Sequence, residues 1–213
     1  MPRDHAALRR AVVAAACAMN GLGINQGSSG NVSVRAGKGF LITPTALPCE
    51  ATTPDDIVAM TLDGGHRGSR RPSSEWRFHR DIYAARPDAG AVVHTHAVHA
   101  TALACLRKPI PRFHYMVALA GGEDIRCAPY ATYGTQELSD HALAALMGRK
   151  ACLLANHGMI ALGADLDAAL ALAVEVETLA HQYLLALQAG GPKLLTRAQM
   201  GEALAKFAHY RPG

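Results

Sequence analysis

The stretch that constrains this chain most is 90–106, GAVVHTHAVHATALACL. Ala91-Val92-Val93 is a short apolar run of the kind that forms a buried strand, and it feeds directly into His94-Thr95-His96. Residues two apart on a strand face the same side. His94 and His96 can therefore offer two imidazoles to one point, with Thr95 turned away. Zinc takes imidazole nitrogens at ~2.0–2.1 Å and needs further ligands, so the pair is a start on a divalent-metal site. From Ala97 to Cys105 the pattern becomes that of a helix. The histidines thus sit at the carboxyl end of a strand, where α/β folds place their sites. The plainer reading of so short a motif is two histidines filling a polar strand end, and the rest of the chain must decide.

The 213 residues suit one sizeable core, a single domain over 1–213. Half are hydrophobic and 18% are charged, which fits a compact protein partly covered by other subunits. The net charge of +4 is scattered rather than striped, and only 5% of residues are aromatic. Nucleic-acid binding would call for a basic stripe with interleaved aromatics; an anionic small-molecule substrate fits the charge equally well. The five cysteines (17, 49, 105, 127 and 152) are widely spaced with no CxxC, which argues against a disulfide framework and for a reducing compartment. No apolar run approaches the ~18 residues of a membrane span. The expectation is a cytoplasmic protein that binds neither membrane nor nucleic acid.

In chain order, helix spacing of Leu8, Val12, Ala15 and Met19 predicts a helix from Asp4, its N-cap, to about Leu22. The loop Asn25–Asn31 is rich in glycine and small polar residues. It reads either as an ordinary strand-leading turn or as a nest of backbone N–H groups for an anion. Strands are expected at 32–35, 39–43 and 58–62, a capping box at Thr53–Asp56, and a surface loop at 66–72. Pro72-Ser-Ser-Glu75 opens a helix running to Ala85. Ser73 and Ser74 cap such a helix in the plain reading; in the functional one they add donors to a helix start that attracts phosphate. Glu75 suits the first turn in either case.

Further on, a strand is expected at 125–130 and a helix capped by Thr135 over 136–147. Ala151–Ala155 is a buried strand that ends in Asn156-His157-Gly158, which repeats the earlier logic and proposes His157 as a third ligand. The longest helix spans 165–188, with Glu175 and Glu177 read as solvated or interface charges. Thr196 caps a last helix ending near Tyr210.

Taken together, NQGSSGNVSVR, LITPT, PSSEWRFHRDIY, RPDAGAVVHTHAVHATA, HYM with GG, CAPYATYGT with ELS, and NHG occur in an order that resembles the class II aldolase/adducin-head family over nearly the whole chain. The resemblance implies an α/β/α sandwich with a central, largely antiparallel sheet. It implies one Zn²⁺, or another divalent metal, per subunit held by His94, His96, His157 and, in the resting site, Glu75, which is the catalytic base once substrate is bound. It places a sugar phosphate's phosphate among Gly30, Asn31, Thr45, Ser73 and Ser74. It also implies a homotetramer with interfacial sites completed by Tyr115 and Tyr210, one of them the proton donor. The activity implied is reversible cleavage of a ketose 1-phosphate, L-fuculose 1-phosphate being the expected substrate, to dihydroxyacetone phosphate and L-lactaldehyde. Same-fold alternatives are an L-ribulose-5-phosphate 4-epimerase, a decarboxylase, or a non-enzymatic adducin-like module. Two departures from the family pattern stand out. Ala46 replaces a glycine in the phosphate loop, and Ser28-Ser29 replaces a Thr-Ala pair.

Overall fold

Alternation along the strands sorts the apolar residues into two layers. The computed structural model describes residues 5–209, so Asp4 and Tyr210 lie outside the described residues. In order, it runs α1 (Ala6–Gly21), β1 (Asn31–Ala36), β2 (Gly39–Ile42), β3 (Val58–Thr61), β4 (His66–Arg67) and α2 (Trp76–Ala85). Then come β5 (Ala91–Thr95), α3 (Val98–Cys105), β6 (Arg126–Ala128), α4 (Gln136–Ala145), β7 (Ala151–Leu154), β8 (Gly158–Gly163), α5 (Leu166–Gln188) and α6 (Arg197–His209). Short 3-10 turns occupy Cys49–Ala51, Pro54–Asp56 and Tyr115–Ala120.

The strands form one sheet in the order β4-β3-β2-β1-β5-β8-β7-β6. Every pairing is antiparallel except β6 with β7, which bears out a largely antiparallel central sheet. Leu41, Val93, Leu153, Met159 and Ala161 point to one face, where α1, α3 and α5 cover them. Their neighbours Phe40, Val92, Leu154, Ile160 and Leu162 point to the other, under α2 and α4. This is the period of two that a pleated strand imposes. Each fully buried Val, Leu or Ile contributes about 1.5–3 kcal/mol. The result is a sheet between helical layers.

Several boundaries follow from local chemistry. Thr135 accepts from the N–H of Leu138, and Asp165 from that of Ala168. Thr196 and Gln199 bond reciprocally ahead of α6, and Thr53 with Asp56 forms the expected capping box. α5 has the length and composition of a membrane span. It is instead packed on β8 and α3, burying Leu166, Ala169, Leu172, Ala173, Val176, Leu179 and Ala180.

Four expectations are corrected. The segment after Asn156-His157, to which the sequence assigns no element, is a strand. It folds back as β8, which pairs with both β5 and β7 in the sheet interior. Part of the presumed loop 66–72 forms β4, a two-residue edge strand on β3. Glu75 is the N-cap residue of α2 rather than part of its first turn, and its side chain makes no cap. Glu177 is no solvated charge. Its Oε1 accepts from the N–H of His99 at 2.9 Å and its Oε2 from that of Ala100 at 2.8 Å. Ala97, the N-cap of α3, has no side-chain acceptor to offer, so a carboxylate from α5 satisfies the free N–H groups there.

Candidate metal centre and active site

Sheet and helix deliver the chemistry to one point. His94 is the fourth residue of β5, and its side chain lies on the α2 face, edge-on to Phe78 at 5.4 Å between ring centroids. Thr95 points the opposite way and donates to the carbonyl of Ile24. His96 follows immediately after the strand. The β7–β8 hairpin brings His157 alongside, with Asn156 at its turn in the left-handed region (φ 55°), a conformation that asparagine tolerates. Gly158 must then be small. A Cβ there would meet the Thr95 carbonyl at 2.5 Å and the His96 ring at 2.9 Å.

The ligand atoms of Glu75, His94, His96 and His157 all lie within 4.8 Å of one another. His94 Nε2 is 3.1 Å from Glu75 Oε2 and 3.2 Å from His96 Nε2; His157 Nε2 is 3.2 Å from Glu75 Oε1. The Nδ1–H of His94 donates to the carbonyl of Met159 at 2.9 Å. In the neutral ring this turns the Nε2 lone pair toward the cluster, as metal-binding histidines require. Glu75 Oε1 is buried, and among the described residues the polar atom facing it is His157 Nε2, which does not complete a hydrogen bond to it. Lone pairs thus converge without protons enough to separate them, and this donor set fits a divalent cation.

The four groups also shift one another's protonation. Burial pushes the Glu75 carboxyl up, but the adjacent His94 and His157 imidazoles hold it well below the usual carboxylate range. Burial lowers His94 while Glu75 raises it, with a net shift upward. His96 is lowered to about 4 by burial and by its histidine neighbours, which favours the neutral, ligating form.

A cavity of about 390 Å³ opens beside the cluster. Glu75, His96 and His157 form its floor, while Ser28, Ser29, Thr45, Ala46 and Ser74 form one wall. Thr45 and Ser74, two of the residues expected around a phosphate, thus line this cavity. Gly30, Asn31 and Ser73 are not on that wall. Ser73 is buried and its Oγ accepts from the Glu75 N–H. The Asn31 side chain is also engaged, donating to Glu75 Oε2 at 3.0 Å and meeting His79 Nε2 with its Oδ1. Gly30 is held close to β5, since a Cβ would meet the His94 carbonyl at 2.7 Å. Ala46 keeps a left-handed backbone (φ 54°) although it carries a side chain.

Tyr115 lies in a 3-10 turn with its ring parallel to that of Phe207, away from this cavity. Sequence reasoning overlooked Tyr130 and Tyr133, both on the cavity wall and both more than half exposed. Two aromatics in a short polar segment were the available signal. That segment is pinned to α2 by Arg77, which donates to the Gly134 carbonyl at 2.7 Å.

Comparison with known proteins agrees with this geometry. The family model for the class II aldolase and adducin N-terminal domain matches residues 10–184. A 5-methylthioribulose-1-phosphate/5-deoxyribulose-1-phosphate aldolase of Rhodospirillum rubrum is 59% identical over 99% of this chain and 95% of its own. An L-fuculose phosphate aldolase of Escherichia coli is 52% identical over 95% of each chain. A solved L-fuculose 1-phosphate aldolase superposes with a TM-score of 0.91 at 39% identity, covering 94% of this chain and 95% of that one. The chain belongs to the class II aldolase and adducin N-terminal domain family.

Proposed function

We propose that this protein is a divalent-metal-dependent aldolase that cleaves a ketose 1-phosphate between C3 and C4, releasing dihydroxyacetone phosphate and an aldehyde. The convergence of His94, His96, His157 and Glu75 beside a cavity walled by serine and threonine carries this reading. An adducin-like interaction module has no need of such a set. The three imidazoles and Glu75 would hold the cation, with zinc favoured by the nitrogen-rich donors. When bound, it supplies a Lewis acid that polarises the substrate ketone and stabilises the enediolate.

The residues divide the remaining work. In the condensation direction Glu75 takes a proton from C3 of dihydroxyacetone phosphate, and the C3 electron pair forms the bond to the aldehyde carbon. The aldehyde oxygen then takes a proton from a tyrosine, Tyr115 or Tyr210, contributed by a neighbouring copy in a homotetramer. Cleavage runs the same steps backwards, and Glu75 returns its proton to C3. Ser28, Ser29, Thr45 and Ser74, which line the cavity, receive the phosphate near the amino end of α2; Gly30, Asn31 and Ser73, also expected there, are not on its wall. A helix start attracts an anion. The five cysteines are all free, in keeping with a cytoplasmic enzyme.

The relative at 59% identity favours a five-carbon, 5-deoxy substrate. Cleavage of 5-deoxyribulose 1-phosphate leaves acetaldehyde, and the 5-methylthio analogue leaves methylthioacetaldehyde. L-fuculose 1-phosphate, the substrate expected from the sequence, is the second reading, supported by the relative at 52% and the solved structure. Assaying dihydroxyacetone phosphate release from both substrates with the zinc-loaded protein decides between them. The first reading predicts the higher kcat/KM on 5-deoxyribulose 1-phosphate; a preference for L-fuculose 1-phosphate overturns it.

A further inference from the structure

Behind the carboxylate of Glu75 lies a buried polar chain that the reaction as described does not use. Asn31 Nδ2 donates to Glu75 Oε2, and Asn31 Oδ1 meets His79 Nε2. His79 Nδ1 lies 2.7 Å from Ser33 Oγ, which lies 2.8 Å from Tyr83 Oη. All five residues are buried, His79 and Ser33 completely.

The chain interleaves two elements. Glu75, His79 and Tyr83 recur every four residues at the start and along one face of α2, about 6 Å apart along the axis. Asn31 and Ser33 are two apart on β1, about 6.6 Å. The two periods nearly match, so helix and strand side chains alternate like the teeth of a zipper.

The donor inventory fixes every proton in it. Asn31 Oδ1 can only accept, so His79 Nε2 must donate. Burial, with His94 nearby, lowers His79 to about 3, so the ring is neutral and its Nδ1 must accept. Ser33 Oγ then donates to Nδ1 and accepts from Tyr83. Each hydrogen bond points toward Glu75. The other oxygen, Glu75 Oε1, has no completed hydrogen bond among the described residues; it faces His157 Nε2 at 3.2 Å on the cavity side.

We propose that His79 is a positioning residue: through Asn31 it anchors Oε2 of Glu75 and so leaves Oε1 as the oxygen that takes the substrate proton. The neutral Nε2–H tautomer of His79 prevents the Asn31 amide from flipping. A flipped amide would present its Oδ1 to the carboxylate. This role rests on the reading of Glu75 as the base.

The test has two arms. Nitrogen-15 NMR of histidine-labelled wild-type protein reads the tautomer directly. The expected signature is a protonated Nε2 and an unprotonated Nδ1 for His79, held across pH 6–8; the reverse tautomer overturns the proposal. In the second arm, His79→Leu removes the donor, while His79→Gln places an amide N–H near the Nε2 position. Loss of such outer partners costs about 10- to 100-fold in activity or metal affinity. His79→Leu should therefore lose kcat by that order and bind zinc more weakly in competition with a chromophoric chelator. KM should change much less, and His79→Gln should recover most of the loss. A folded His79→Leu enzyme with wild-type kcat and zinc affinity overturns the proposal, as does a His79→Gln enzyme no better than His79→Leu. If His79→Leu fails to fold, the tautomer and the His79→Gln enzyme's kcat still decide. Glu75→Gln separates this from the underlying assignment. If Glu75→Gln turns over normally, Glu75 is not the base. If Glu75→Gln is inactive while His79→Leu is normal, only the role of His79 fails.

Discussion

Glu75 takes its importance from being an N-cap that does not cap. An N-cap side chain usually accepts from the N–H groups two or three residues on; the Glu75 carboxylate makes no such bond and turns to His94 and His157. Glu75→Gln should keep the fold and lower turnover by at least the ~10²–10⁴-fold that general bases contribute, measured as dihydroxyacetone phosphate release. Unimpaired turnover would remove Glu75 from the chemistry. Ala46 offers a second test at this scale. Its left-handed backbone costs an alanine about 1–2 kcal/mol that glycine avoids. Ala46→Gly should raise the thermal midpoint and lower KM by admitting the phosphate more closely; a higher KM would place the phosphate elsewhere. The histidine cluster was legible because period-two spacing and strand ends are written in the sequence. The engagement of Asn31 with Glu75 and His79 was not, because it depends on how β1 lies against α2. The i, i+4, i+8 spacing of Glu75, His79 and Tyr83 was the visible half of that contact.

Among the elements, β8 was the largest omission. Met159-Ile160-Ala161-Leu162 is a short apolar run, and periodicity alone does not tell such a run from a buried helix segment. What makes it a strand is the tight turn at Asn156-His157, which only a left-handed asparagine reveals. The hairpin matters for function, since β8 supplies the Met159 carbonyl that orients His94. Glu177 shows the same limit, because a carboxylate on α5 cannot be seen to cap α3 until both helices are placed. Glu177→Ala leaves the N–H groups of His99 and Ala100 without acceptors and should cost about 1–3 kcal/mol. For a protein of this size each kcal/mol lowers the midpoint by about 2–4 °C. Since α3 begins two residues after His96, zinc affinity should fall as well. Unchanged melting would show that the cap is dispensable.

For the whole molecule, the buried His79 ties stability to pH. The unfolded chain takes up a proton near 6.5, the folded chain only near about 3. The stability that follows from keeping this ring neutral is fully present above pH 6.5 and is lost as pH falls toward 3. Loss from this one group reaches about 2 kcal/mol at pH 5. Denaturant unfolding of metal-free protein at pH 7 and pH 5 measures it, and His79→Gln should flatten the difference; an equal slope in both would assign the loss to other groups. The assembly is tested by light scattering, which should give four times the chain mass. A monomer with full turnover would remove the neighbouring copy's tyrosines from the site.

The most direct test of the account is dihydroxyacetone phosphate release from 5-deoxyribulose 1-phosphate and L-fuculose 1-phosphate, before and after removal of divalent metal by a chelator. The arrangement of His94, His96, His157 and Glu75 predicts release from at least one substrate, its loss on chelation, and its return with Zn²⁺. Release that survives complete metal removal, or no release from either substrate by the zinc-loaded protein, would contradict it.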